Sequence, residues 1–197
     1  MKTLLAGICL ALCIQAGAQK PYQDSIQRYI ADYVQKHEVV DGQNKKYFRF
    51  FPPDETFKVT AKVNRTPNSK WFTMETSGTI RKTFRQYAIL EFSIHDTLVH
   101  LPIYQSQGLM TSEEYKNHLF LPFTDLTSGE STYAAGRYID LSITDIQHDL
   151  VTVDFNKAYN PYCAYVTGKY NCPVPPKDNQ LEVAIAAGEQ NYAKPHE

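Results

Sequence analysis

The sequence lacks any apolar run long enough to cross a membrane as a helix. Its longest, LLAGICLALCI near the N-terminus, is about a dozen residues where a spanning helix needs roughly 20. It also lacks an excess of either charge. Lys and Arg number 20 against 21 Asp and Glu, so no field of one sign steers the chain to nucleic acid or an anionic bilayer. Basic stretches such as Asn44-Lys45-Lys46 are short. There is no GxSxG elbow, no HExxH helix, no glycine-rich nucleotide loop and no CxxC pair, which removes the signatures of serine hydrolases, zincins, nucleotide binders and zinc ribbons. Internal repeats, low-complexity tracts and linkers are absent too, so the prior is one domain.

What is present begins with a leader. A single Lys2, the apolar run and Ala16-Gly17-Ala18 match a secretory signal over residues 1–18, with cleavage expected before Gln19. An exported protein, periplasmic or extracellular, is the expectation, and residues 19–197 are read as a single mainly-β domain. Between Pro21 and His37, Tyr22, Ile26, Tyr29, Ile30, Tyr33, Val34 and His37 recur at spacings of three and four, which predicts one amphipathic helix. Pro21 suits its first turn, and Asp41-Gly42 supplies a stop.

From Lys46 onward the period changes to two. Phe57, Val59, Ala61 and Val63 alternate with polar residues, as do Leu90, Phe92 and Ile94, then Val99, Leu101 and Ile103. Further runs at Lys46–Phe51, Trp71–Thr76, His118–Phe123, Arg137–Ile143, Leu150–Asn156 and Leu181–Ala187 bring the expected count to about nine strands. The fold class is mainly β: an antiparallel curled sheet, either a partly closed barrel or a two-layer sandwich, with one N-terminal helix. Pro102 cannot donate to a ladder and points to an edge strand.

The chemistry concentrates in FTDLTSGESTYAAGRYIDL, DFNKAYNPYC and NCPVPPKDNQLEVAIAAGE. Arg137 shares parity with Ile139, Leu141 and Ile143, so it points to the buried side and must be paired. Its partner is either structural, Asp125 or Glu189, or a ligand's carboxylate or phosphate. Asp154 and Asn156 lie on the opposite parity from Val151, Val153 and Phe155. Cys163 and Cys172, the two cysteines outside the leader, are expected to pair in an oxidising compartment. The prolines beside them make an ordered crossing. His95, His100 and His118 have no metal-ligand spacing, and neither a metal nor a cofactor is expected.

These blocks, with FFPPDETFKV before them, resemble an exported bacterial family known as domain of unknown function 1684, from about Tyr47 to Glu189. Its recurrent motif positions correspond to Phe123, Asp125, Thr127, Gly129, Tyr133, Gly136, Arg137, Asp154, Asn156, Tyr159, Asn160, Pro161, Cys163, Cys172, Pro173, Pro176, Asn179 and Glu189. Tyr162 stands where a second proline is expected. The resemblance implies no assigned activity. Residue chemistry alone then favours a binding module for an anionic or carbohydrate-like small ligand, with Arg137 neutralising, Asp154, Asn156 and Asn160 orienting, and Tyr133 and Tyr159 stacking. The alternatives are a structural or protein-interaction component of the cell envelope, and a hydrolase using Asp125 with Glu189 or Asp154 as acid and base.

Overall fold

The computed structural model describes residues 4–195, with side chains from residue 20 onward. The leader expected over residues 1–18 therefore falls outside the described side chains. Period-two alternation builds seven strands: β1 Lys58–Arg65, β2 Phe72–Met74, β3 Lys82–Ile94, β4 Thr97–Ser106, β5 His118–Phe123, β6 Arg137–Ser142 and β7 Leu150–Asp154. They form one antiparallel sheet, curled into a half-barrel, in the order β6-β5-β4-β3-β1-β7, with β2 beside the start of β3. One face carries an aliphatic core around Leu90, Leu101, Leu119 and Leu121, closed by Leu181, Ile185 and Ala187 from the C-terminal segment. The other carries an aromatic layer of Phe84, Tyr104, Phe120 and Tyr138 with Met74.

The strands number seven against about nine because two expected runs satisfy their backbones otherwise. The first, Lys46–Phe51, opens in a 3-10 turn at Gly42–Tyr47 and meets the sheet only where Phe50 bridges Glu189. The second, Leu181–Ala187, is an irregular cap in which the Ile185 N–H is taken by the Asp125 carboxylate rather than by a strand.

Pro102 corrects the edge-strand expectation. It lies in β4, which sits between β3 and β5, and β5 contains a second proline, Pro122. Two absent donors open the ladder between these strands, leaving Tyr104 opposite Phe120 as their registered pair. The Asn179 side chain fills the gap. Its Nδ2 donates to Pro102 O at 2.8 Å and Pro122 O at 2.7 Å, while its Oδ1 accepts from Tyr104 Oη at 2.7 Å. Proline is tolerated inside this sheet because a buried amide takes the place of the missing rungs.

The helix, α1, spans Leu4–Lys36, so Pro21 lies inside it rather than in its first turn. The end agrees with the sequence pattern, and the start moves upstream because the Leu- and Ala-rich run from Leu4 is itself a good helix former. Tyr22, Ile26, Tyr29, Tyr33 and His37 face the body of the protein. The helix lies over 3-10 turns at Glu55–Phe57 and Phe155–Lys157, with Ile26 and His37 buried.

Candidate functional site

Arg137 is enclosed in the core. Its residue exposure is 0% and its guanidinium pairs with Asp125, Nη2 to Oδ2 at 2.9 Å. Nη2 also donates to Ile185 O, and Nη1 to the carbonyls of Ala187 and Glu189. Asp125 Oδ1 in turn accepts from the Thr127 N–H at 2.8 Å, the Thr127 hydroxyl at 2.6 Å and the Ile185 N–H at 3.1 Å. The pair therefore stitches the 124–136 loop to the C-terminal cap, and it is the structural alternative, not the ligand-facing one, that this geometry realises. Gly136 makes the approach possible: at φ +90 a Cβ would stand 2.6 Å from Phe123 O.

Three more of the expected ligand residues hold backbone. Asn160 donates its N–H to Glu189 Oε2 at 2.9 Å and its Nδ2 to Gln190 O at 2.8 Å. Asn156 takes both the N–H and the carbonyl of Asp54, at 2.8 Å each. Asp154 caps the turn after β7 and receives the Tyr22 phenol at 2.9 Å. Asp154 and Asn156 both meet the Tyr22 phenol on α1, and neither hydrogen-bonds to Arg137. Tyr133 is half-buried on the 124–136 loop and lines neither of the two cavities described below.

Glu189 is fully buried and accepts from Tyr33 at 3.3 Å and from Tyr165 at 2.7 Å and 2.8 Å, besides Asn160. Burial pushes its carboxyl up to about 7, against the pull of those hydrogen bonds. With Asp125 committed to Arg137 and Glu189 clasping α1 through Tyr33, neither carboxyl opens to a groove as the paired acid and base of a hydrolase must.

The open chemistry lies elsewhere. A groove of about 1170 Å³ runs between α1, the aromatic face of the sheet and the segment around the disulfide. Its walls include Tyr33, Phe84, Phe120, Tyr138, Tyr159 and Tyr162. On its lining His118 Nε2 meets Asp140 Oδ1 at 2.9 Å, and the Tyr159 phenol donates to Asp140 Oδ2 at 2.8 Å. A carboxylate oxygen only accepts, so in this pair Nε2 carries the proton. Burial first, then Asp140, raises the Tyr159 phenol well above its ordinary range, so it remains a donor. Among the charged residues on the lining, Asp32, Glu38 and Asp140 balance Lys36, Arg81 and Lys82.

The Cys163–Cys172 disulfide holds the far wall, with Cα atoms 6.3 Å apart. Tyr138 Oη donates to Pro173 O, tying that wall to the sheet. Of the residues singled out for ligand contact, Tyr159 lines this groove and Asp154 a second cavity, while Arg137, Asn156, Asn160 and Tyr133 line neither. Asp140 and Tyr138 lie on the face of β6 opposite the buried parity that singles out Arg137, and His118, on β5, is read from the sequence only as a histidine without metal-ligand spacing. Alternation alone places Tyr138 and Asp140 opposite Arg137 and Ile139.

No curated protein matches the chain. The fold is similar to the solution NMR structure of an uncharacterized protein of Haloarcula marismortui, at 27% identity and a TM-score of 0.64, covering 88% of this chain and 96% of that one. A family model described as Protein of unknown function (DUF1684) matches residues 46–190. That span holds the Asp125–Arg137 pair, the Asn179 bridge, Glu189 and every groove residue from Arg81 onward, and the chain belongs to this family.

Proposed function

We propose that the protein is an exported binding module whose tyrosine-lined groove takes a neutral, carbohydrate-like ligand. The observation that carries this reading is the pairing of tyrosine and phenylalanine rings with the hydrogen-bonded Asp140–His118–Tyr159 cluster in one groove. Sugars present apolar C–H faces that stack on rings and hydroxyls that both donate and accept, and the groove offers both kinds of contact. A balanced lining charge selects no ionic ligand, and the anionic alternative loses its basic residue because Arg137 faces the core. Export is supported by the leader pattern and by the disulfide. Among the described residues no helix is long and apolar enough to cross a membrane.

The test is titration of the oxidised protein with a panel of neutral mono- and oligosaccharides, followed by NMR. Saturable shifts at Tyr138 and Tyr159 that weaken in Asp140→Asn support the reading. Binding confined to sugar phosphates, or shifts away from the groove, would overturn it.

A second reading, a protein-interaction surface, rests on the β2 edge. Trp71 and Phe72 there are 40% and 36% exposed. Trp71 is the single tryptophan, so its burial by an envelope protein would register as a blue shift of its emission.

A further inference from the structure

Along the other flank of α1 lies a second cavity, of about 760 Å³. Tyr22, Tyr29 and Tyr159 line it together with the carboxylates of Asp140, Asp145 and Asp154. Aromatic faces and carboxylates share one preference, for a cation. Two of these rings already hold one. Lys58 Nζ stands 5.3 Å from the centroid of Tyr22, and Lys157 Nζ 5.5 Å from that of Tyr29. Both lysines are exposed, and neither makes a salt bridge among the described residues.

Asp154 adds a carboxylate oxygen that no protein donor occupies among the described residues. It is 9% exposed, and the hydrogen bonds it accepts, from the Tyr22 phenol at 2.9 Å and from Asn156 N and Nδ2 at 3.1 and 3.0 Å, all fall on Oδ1. Oδ2 accepts none of these bonds and is not among the buried oxygens left without a partner, so it is the oxygen of this carboxylate that remains open to a cation from the cavity. The field at the rings is negative as well. Burial raises the phenols of Tyr22 and Tyr29, and the carboxylates around them raise both further: Asp154, Glu55 and Asp54 act on Tyr22, and Asp140, Asp154 and Glu189 push Tyr29 up to about 12. A bare metal ion does not fit the same residues, since no three ligating side chains converge among those described.

We propose that this cavity is a receptor for an organic ammonium group, held between the faces of Tyr22 and Tyr29 and Asp154 Oδ2, with Lys58 and Lys157 as intramolecular occupants that the ligand displaces. Tyr29, Asp140 and Tyr159 line both cavities, whereas Tyr22, Asp154 and Lys58 line this one alone, so the Tyr22 ring separates ammonium binding here from saccharide binding in the groove. A quaternary ammonium gives the cleanest probe, since it cannot donate a hydrogen bond and must be recognised by charge and ring face.

Tetramethylammonium chloride is titrated into the full oxidised protein, with sodium chloride at matched ionic strength in parallel, and the tyrosine ring signals are followed by NMR. Saturable shifts of the Tyr22 and Tyr29 rings with tetramethylammonium alone are expected. Lys58→Met, a change at an exposed position, tightens binding by removing a competing ammonium. Tyr22→Phe keeps the affinity within about twofold, whereas Tyr22→Leu weakens it by about tenfold, the loss of one cation–π contact. Both variants lose the same phenol bond to Asp154, so any cost to folding falls on each and the difference between them reports the ring face. An unsaturable response, an equal response to sodium, equal affinities for the Phe and Leu variants, or no gain in Lys58→Met would overturn the proposal.

Discussion

The core network and the groove are built from the same residue types and use them oppositely. Arg137, Asp125, Asn160 and Glu189 are buried, and their polar atoms hold loop and cap backbone that has no ladder of its own, while buried Asn179 fills the gap that two prolines leave between β4 and β5. His118 and Tyr159 each bond to Asp140, and the three line the groove beside its aromatic walls. The comparison teaches that a dense polar motif marks the place where the chain abandons regular structure. Buried irregular backbone must find partners, and here side chains supply them. The ligand-accessible chemistry sits one strand face away.

Arg137→Met gives the sharpest break. It strands the Asp125 carboxylate and the carbonyls of Ile185, Ala187 and Glu189 in the core. Losing one partner of a buried pair costs about 3–5 kcal/mol, so denaturant unfolding should show a chain at the edge of folding. A variant that stays fully stable would return Arg137 to the ligand-contact role.

Next comes the disulfide. Cys163→Ser with Cys172→Ser releases a short loop and is expected to lower stability by about 2–3 kcal/mol on the chain-entropy estimate. Because this segment walls the groove, saccharide affinity should fall along with the melting temperature. Unchanged affinity would detach the wall from the site.

Smaller is the pH dependence, in which two buried groups oppose one another. The Glu189 carboxyl is raised to about 7 by burial, so its contribution to stability is complete below its ordinary pKa of about 4.5 and is lost as pH rises through 7. Burial, with a lesser push from Lys45, lowers His37 to about 4. Its contribution is present above about 6.5 and is lost as pH falls toward 4. Glu189→Gln should therefore flatten the alkaline decline and leave the acid one intact. Unfolding midpoints measured from pH 4 to 8 check this, and a variant that tracks the parent would sink the assignment.

Smallest in stability is Tyr159→Phe. Its phenol bonds to a largely exposed Asp140, so the change costs about 1 kcal/mol or less. Its effect on saccharide binding should exceed that on folding, the reverse of Arg137→Met. Equal effects would erase the distinction between network and groove.

Much of the fold is legible in the sequence. The period of 3.6 over Tyr22–His37 and the period of two in β1, β3 and β4 follow directly from which residues must leave water. The parity of Arg137 correctly identifies a buried guanidinium in need of a partner. The Leu181–Ala187 run misleads because its apolar residues do face the core, as a strand's would, while the Ile185 N–H bonds to the Asp125 side chain and the Leu181 N–H to Thr124 O just past β5, so no ladder forms. Pro102 misleads for a related reason. Only Asn179, distant in sequence, makes an interior proline tolerable. The groove was hidden because its walls come from α1, β3, β5, β6 and the disulfide segment, and each contributes residues that alone read as ordinary strand or helix aromatics.

By itself the sequence determined the class of fold, the helix stripe, the cysteine pair and the family, because these depend on local periodicity, on residue counts and on motif spacing. It also determined that Arg137 is buried. The tertiary structure alone decided that Asp125 and three carbonyls pair with that charge, and that Asp140 gathers His118 and Tyr159 in a groove walled partly by tyrosines. Both depend on which strand edge and which loop meet in space, and that is set by the closure of the sheet rather than by any single stretch of chain.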